Sequence, residues 1–184
     1  MRPGWPGGER RQLRARAWAV ILLGLVLVAA GLGYYLVSTA RGTLAIQIRD
    51  VPADWTHVTV TFAQVSVHPA NADNESGWVS LNLTETQIDF LALGNLTQLL
   101  ALDRVAPGLY TQIRIVVTSV RGVPMTGAPV MMSVLDGVLK TTTPFVLHGG
   151  GTTTVTLDLD LAQSIREANG VWVFTPVLGP ISVT

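Results

Sequence analysis

"PGLYTQIRIVV", residues 107–117, is the stretch that decides the fold. Pro-Gly closes one segment, a single Tyr enters the next, and Ile113, Ile115 and Val117 then occupy every second position. A period of two is the repeat of a strand with one face in a core. In Greek-key sandwiches a Tyr just after such a turn often returns its hydroxyl to nearby backbone where the chain passes between sheets. Tyr110 is therefore the expected structural corner of a two-sheet domain, and the alternative is an ordinary half-buried strand Tyr.

The same period extends outward in both directions. "TLAIQIRD" (43–50) puts Leu44, Ile46 and Ile48 on one face. "THVTVTFAQVSVH" (56–68) alternates through Val58, Val60 and Phe62, then resumes one position out of phase at Val65 and Val67. A parity slip within one strand sends side chains to the wrong face unless an extra residue is accommodated, which predicts a β-bulge or bend near Ala63–Gln64. "WVSLNL" (78–83) reads as a short strand with Val79, Leu81 and Leu83 inward. Residues 86–105 mix leucines at helical spacing with Gly94 and Asn95, and read as a crossing segment over the open end of the core. Residues 121–140 read as a loop or hairpin with an Asp136-Gly137 turn. "TPFVLHGGGTTTVTLDLDLAQSI" (143–165) gives two strands around three glycines, with Val155, Leu157 and Leu159 inward and Asp158 and Asp160 outward. "LAQSIREANG" reads as a short helix ended by Gly170, and "GVWVFTPVLGPISV" as a closing strand buried on both faces, with Pro176 and Pro180 implying an edge or a bend.

About seven turn-punctuated strands and one minor helix predict an all-β, antiparallel Greek-key sandwich, immunoglobulin- or prealbumin-like, over residues 42–184. The amino-terminal part differs. Residues 17–37, "AWAVILLGLVLVAAGLGYYLV", carry no charge over 21 positions, about 30 Å as a helix and the thickness of a bilayer core. Arg2, Arg10, Arg11, Arg14 and Arg16 precede it against one acid, Glu9, so residues 1–16 are expected in the cytoplasm. Trp18, Tyr34 and Tyr35 sit where rings favour the headgroup layers. The competing reading is a signal peptide cleaved after Ala40, but the apolar run exceeds a usual signal core of about 7–15 residues. The expected location is the cell membrane, single-pass, with the carboxy-terminal domain extracytoplasmic.

The zero net charge hides an asymmetry. Residues 1–41 hold six Arg and one Glu; residues 42–184 hold six basic and eleven acidic residues, so +5 precedes −5. An acidic outer domain without a basic stripe argues against nucleic acid as a partner. There are no cysteines, which removes disulfides, thiol chemistry and thiol metal ligands.

The series "GTLAIQIRDVPAD", "VTVTFAQVSVH", "GWVSL", "DFLAL", "PGLYTQIRIVV", "GGGTTTVTLDLD" and "TPVL" resembles the exported family catalogued as domain of unknown function 4382. The resemblance spans residues 42–184. It implies an extracytoplasmic β-sandwich module of bacteria and archaea, and it carries over no catalytic residue. Many relatives are attached through a lipid on a cysteine, which this chain lacks.

No constellation in the sequence reads as catalytic. Asp158 and Asp160, two apart on a strand, share a face as a pair of hydrolase carboxylates would, yet no calcium loop or further acid accompanies them. His57, His68 and His148 are too dispersed to predict a metal site, and no cofactor is expected. "HGGGTTT" lacks the elbow of an esterase and the Gly-Lys-Ser/Thr ending of a phosphate loop. Trp55 and Trp78 flank loops and are the candidate ligand contacts. Asn74, Asn82 and Asn95 begin glycosylation sequons. The expected function is an anchored binding or surface-organising module for envelope polymer, glycan or surface protein. Self-assembly through strand edges, or an exported hydrolase, are the alternatives.

Overall fold

The computed structural model describes residues 8–50, 55–73, 76–94 and 96–184, without the side chains of residues 8–17, 19, 37–39 and 50. It divides into two units, Met1–Thr39 and Ala40–Thr184.

The first unit holds α1 (Gly8–Thr39), whose backbone covers all of residues 17–37. Its apolar side chains from Val20 to Leu36 are exposed. Among the described residues no helix is long and apolar enough to cross a membrane. The described side chains of α1 run unbroken only over residues 20–36, about 25 Å of helix.

The second unit is mostly β, two sheets sharing a core. The smaller sheet has the order β13-β10-β1-β5, built from β1 (Gly42–Asp50), β5 (Gln98–Val105), β10 (Thr152–Leu159) and β13 (Leu178–Val183). In the larger sheet β2 (Trp55–Pro69) and β6 (Gly108–Pro124) form a long antiparallel pair. On the far side of β2 lie β3 (Val79–Leu81) and β4 (Gln87–Asp89). On the far side of β6 lie, in succession, β7 (Val130–Val134), β8 (Val138–Thr141) and β9 (Phe145–Leu147). β12 (Val171–Phe174) joins β7, and β11 (Ile165–Ala168) joins β12.

Alternation places the core as the sequence indicates. Leu44, Ile46, Ile48, Val155, Leu157 and Leu159 from the small sheet are fully buried together with Val58, Val60, Val65 and Val67 from the large one. The parity slip in β2 is a bulge: its pairing with β6 shifts on both sides of Phe62 and leaves Ala63 without a partner. Both apolar phases of the strand therefore reach one core.

The opening stretch carries the chain from β5 of one sheet into β6 of the other. Pro107-Gly108 leads into β6, and the buried Tyr110 hydroxyl donates to the Ala106 carbonyl at 2.7 Å. The ring stacks on Phe145 with centroids 5.4 Å apart and planes at 11°. Desolvation raises the Tyr110 pKa above its usual value.

Several expectations are corrected. The sandwich is not purely antiparallel, since β1 and β10 run parallel over eight residue pairs and β12 runs parallel to β7. The glycine turn causes the first pairing: Gly150 donates to the Arg41 carbonyl and Gly151 accepts from Thr43, so β10 starts where β1 starts. Asp136-Gly137 is not a hairpin turn. β7 and β8 both pair with β6, so the dipeptide is a break between two successive partners of that strand, and the Gly137 carbonyl accepts from Val117 N–H at 2.7 Å. "LAQSIREANG" keeps only the one-turn α3 (Leu161–Ser164). The rest is the β11–β12 hairpin, turned at Asn169 (φ 52°) and Gly170 (φ 75°), the positive dihedrals that an Asn-Gly turn supplies. The closing apolar stretch is two strands, β12 in one sheet and the edge strand β13 in the other. In residues 86–105 only Phe90–Leu93 (α2) is helical, and Gln98–Val105 is strand β5, which pairs with β1.

Candidate functional site

The outward face of the large sheet carries the polar cluster best placed to meet a ligand. On β6, Ile113 and Ile115 point into the core, so Arg114 between them points away, and the same alternation turns Ser66 and His68 of β2 outward. Ser66 and His68 are nevertheless buried. Side chains from neighbouring strands cover them: the Arg114 Nε donates to Ser66 Oγ at 3.4 Å, and His68 meets Trp78 edge to face with centroids 5.1 Å apart. The Arg114 guanidinium lies over the Trp78 ring, 4.2 Å from its centroid, a cation–π contact that holds the cation in place.

Beside this cluster a groove of about 800 Å³ is lined by Gln64, Arg114, Val116, Asp136, Val138, Lys140 and the chain at Pro176 and Leu178. That volume falls within the usual range for small-molecule sites. Arg114 and Lys140 stand directly opposite each other on β6 and β8. Like charges at facing positions destabilise a sheet. The carboxylate pairings among the described residues are the Arg49–Asp158 ion pair and the His57–Asp89 contact, so neither facing cation has a carboxylate partner there. Gln64 donates to Ser80 Oγ at 2.8 Å, which leaves its carbonyl oxygen as an acceptor.

The residues singled out in the sequence do not converge on one point. Trp55 is 8 % exposed and packs T-shaped on Trp172 at 4.8 Å, so its ring is core and not an open platform. Trp78 is half-buried and acts through Arg114. Asn82 is exposed, and its side-chain amide donates to Asp103 at 2.8 Å; Asn74 and Asn95 lie outside the described residues.

The proposed carboxylate pair is divided between two structural tasks. Asp158 is buried, paired with Arg49 at 3.2 Å, and its Oδ1 has no hydrogen-bond partner. It faces away from the core as expected, but it is not solvated. Asp160 caps α3, accepting from Gln163 N–H at 2.9 Å and from the Gln163 side chain at 2.7 Å. An acid committed to a cap and another committed to an arginine do not make an acid and base for hydrolysis. His57 contacts Asp89 at 2.6 Å, His68 contacts the Asp73 carbonyl at 3.1 Å, and His148 is exposed.

Arg114, Lys140 and Gln64 were not singled out from the sequence. Their outward phase is legible there; their adjacency depends on a strand register that one sequence does not give.

No curated protein and no solved structure matches the chain. A family match covers residues 41–176, from the start of β1 through β12, and ends before β13. On that match the chain belongs to the family described as domain of unknown function 4382.

Proposed function

We propose that the protein is a membrane-anchored binding module, held by the helix over residues 17–37 and presenting its β domain outside the cell. The uncharged run, the arginines before it and the continuous helical backbone of Gly8–Thr39 support the anchor. The corner at Tyr110 supports a Greek-key, immunoglobulin- or prealbumin-like order for the sandwich. The ligand is envelope polymer, glycan or surface protein, and it binds on the outward face of the large sheet.

The observation that carries this reading is the pair of facing cations, Arg114 and Lys140, without carboxylate partners among the described residues, at the wall of a groove. Facing cations cost the sheet stability and together offer two positive donors to an anion. Trp78 contributes by fixing Arg114, and among the described residues Asn82 is an exposed sequon asparagine. Self-assembly has weaker support at the β13 edge, which carries Pro180 and so lacks an N–H that a further strand requires.

The test is a binding screen of the full chain in detergent micelles against envelope polysaccharides and envelope proteins. Val116→Trp, which fills the groove, is expected to abolish capture while melting stays within a few degrees of wild type. Capture unaffected by this substitution would move the site elsewhere.

A further inference from the structure

The groove wall carries more chemical information than its location, and the following rests on the binding-face reading above. Its polar lining has three kinds of group. Arg114 and Lys140 donate and are positive, Asp136 only accepts, and Gln64 has a free acceptor oxygen. Val116, Val138, Pro176 and Leu178 supply apolar patches between them. The Arg114 bond to Ser66 Oγ uses one of about five guanidinium N–H groups. The unit as a whole is acidic, so this is a local positive spot on a negative body.

A ligand that complements all of these carries an anionic group for the two cations, hydroxyl donors for Asp136 and Gln64, and C–H faces for the apolar patches. A neutral sugar leaves the cations unanswered, and an anionic lipid without headgroup hydroxyls offers Asp136 no donor. We infer that the groove takes an anionic, hydroxyl-bearing polymer, with carboxylate or phosphate on its repeating units, clamped between Arg114 and Lys140. Arginine suits either anion through its forked donors, and Trp78 holds that fork in register as a positioning residue.

The experiment uses the full chain in neutral detergent with four probes: polygalacturonate, a poly(glycerol phosphate), dextran, and vesicles of phosphatidylglycerol. Binding to one or both anionic polymers, and not to dextran, is expected, and it weakens as salt screens the contact. Which of the two polymers binds identifies carboxylate or phosphate as the anion. Arg114→Gln or Lys140→Gln is expected to weaken binding roughly tenfold, as loss of a charge-assisted contact does. Lys140→Arg keeps it, which separates loss of charge from loss of fold. Trp78→Leu weakens binding in the wild type but not in the Arg114→Gln background. Equal binding of dextran and polygalacturonate, with both lost in Val116→Trp, would overturn the anion inference and leave the groove standing. Binding only to vesicles would overturn it in favour of a lipid surface, and no binding to any probe would overturn it together with the groove as a polymer site.

Discussion

Removing one oxygen from Tyr110 tests the corner without disturbing its packing. In Tyr110→Phe the ring keeps its stack on Phe145 and its burial, and the bond to the Ala106 carbonyl at 2.7 Å disappears. A buried acceptor left empty costs roughly 1–3 kcal/mol. Ala106 is exposed, so water can reach its carbonyl, and the expected loss is at the low end, about 1 kcal/mol. For a unit of this size that is roughly 3–4 °C in melting temperature. The assay is thermal unfolding of the full chain in detergent, followed by circular dichroism in the strand region. Tyr110→Ala, which also empties a ring-sized space, is expected to lose roughly 3–5 kcal/mol. If Tyr110→Phe melts with the wild type, the hydroxyl is not tying the two sides of the turn together and the corner is only a packed ring.

The raised Tyr110 pKa gives a second test. A phenol whose pKa is higher folded than unfolded keeps its full contribution below pH 10.0 and loses it as pH rises toward the folded value, so stability falls in that alkaline window and Tyr110→Phe flattens the fall. Gly122 tests where Trp55 lies: an added Cβ would sit 2.5 Å from both the Trp55 ring and Met132, so Gly122→Ala is expected to cost roughly 1–3 kcal/mol by chemical denaturation. Arg49→Ala leaves the Asp158 carboxylate unpaired; because Arg49 is about half exposed, the loss by the same measurement is about 1–2 kcal/mol, below that of a fully buried pair. Gly170→Val places a branched residue at φ 75°, and faster hydrogen exchange confined to Ile165–Phe174 is the expected result.

The features legible in the sequence were those set by alternation and local sterics. The slip between Phe62 and Val65 called for a bulge or a bend, and the turn before Tyr110 allowed either a corner or an ordinary strand Tyr; the structure has the bulge and a bond from the hydroxyl to Ala106. What the sequence concealed was the pairing. The parallel contact of β1 with β10 joins residues about 109 apart, and nothing local marks it. Asn169-Gly170 had the signature of a hairpin, yet the preceding Leu-Ala-Gln-Ser favoured a helix, and one turn of helix does form. Asp136-Gly137 carried a hairpin signature too, but β6 is long enough to pair with both flanking strands, so the dipeptide only separates two of its partners. The site was concealed for the same reason: Arg114 and Lys140 meet through register, 26 residues apart in the chain.

The absence of cysteine offers the most direct test of the proposed display of the β domain beyond a membrane-held helix. Single cysteines are introduced at Arg2 and, separately, at the exposed His148, and intact cells are treated with a membrane-impermeant maleimide. The account predicts that His148→Cys is labelled on intact cells and stays with washed membranes, whereas Arg2→Cys is labelled only after lysis. Labelling of Arg2→Cys on intact cells, or protection of His148→Cys until lysis, would contradict it.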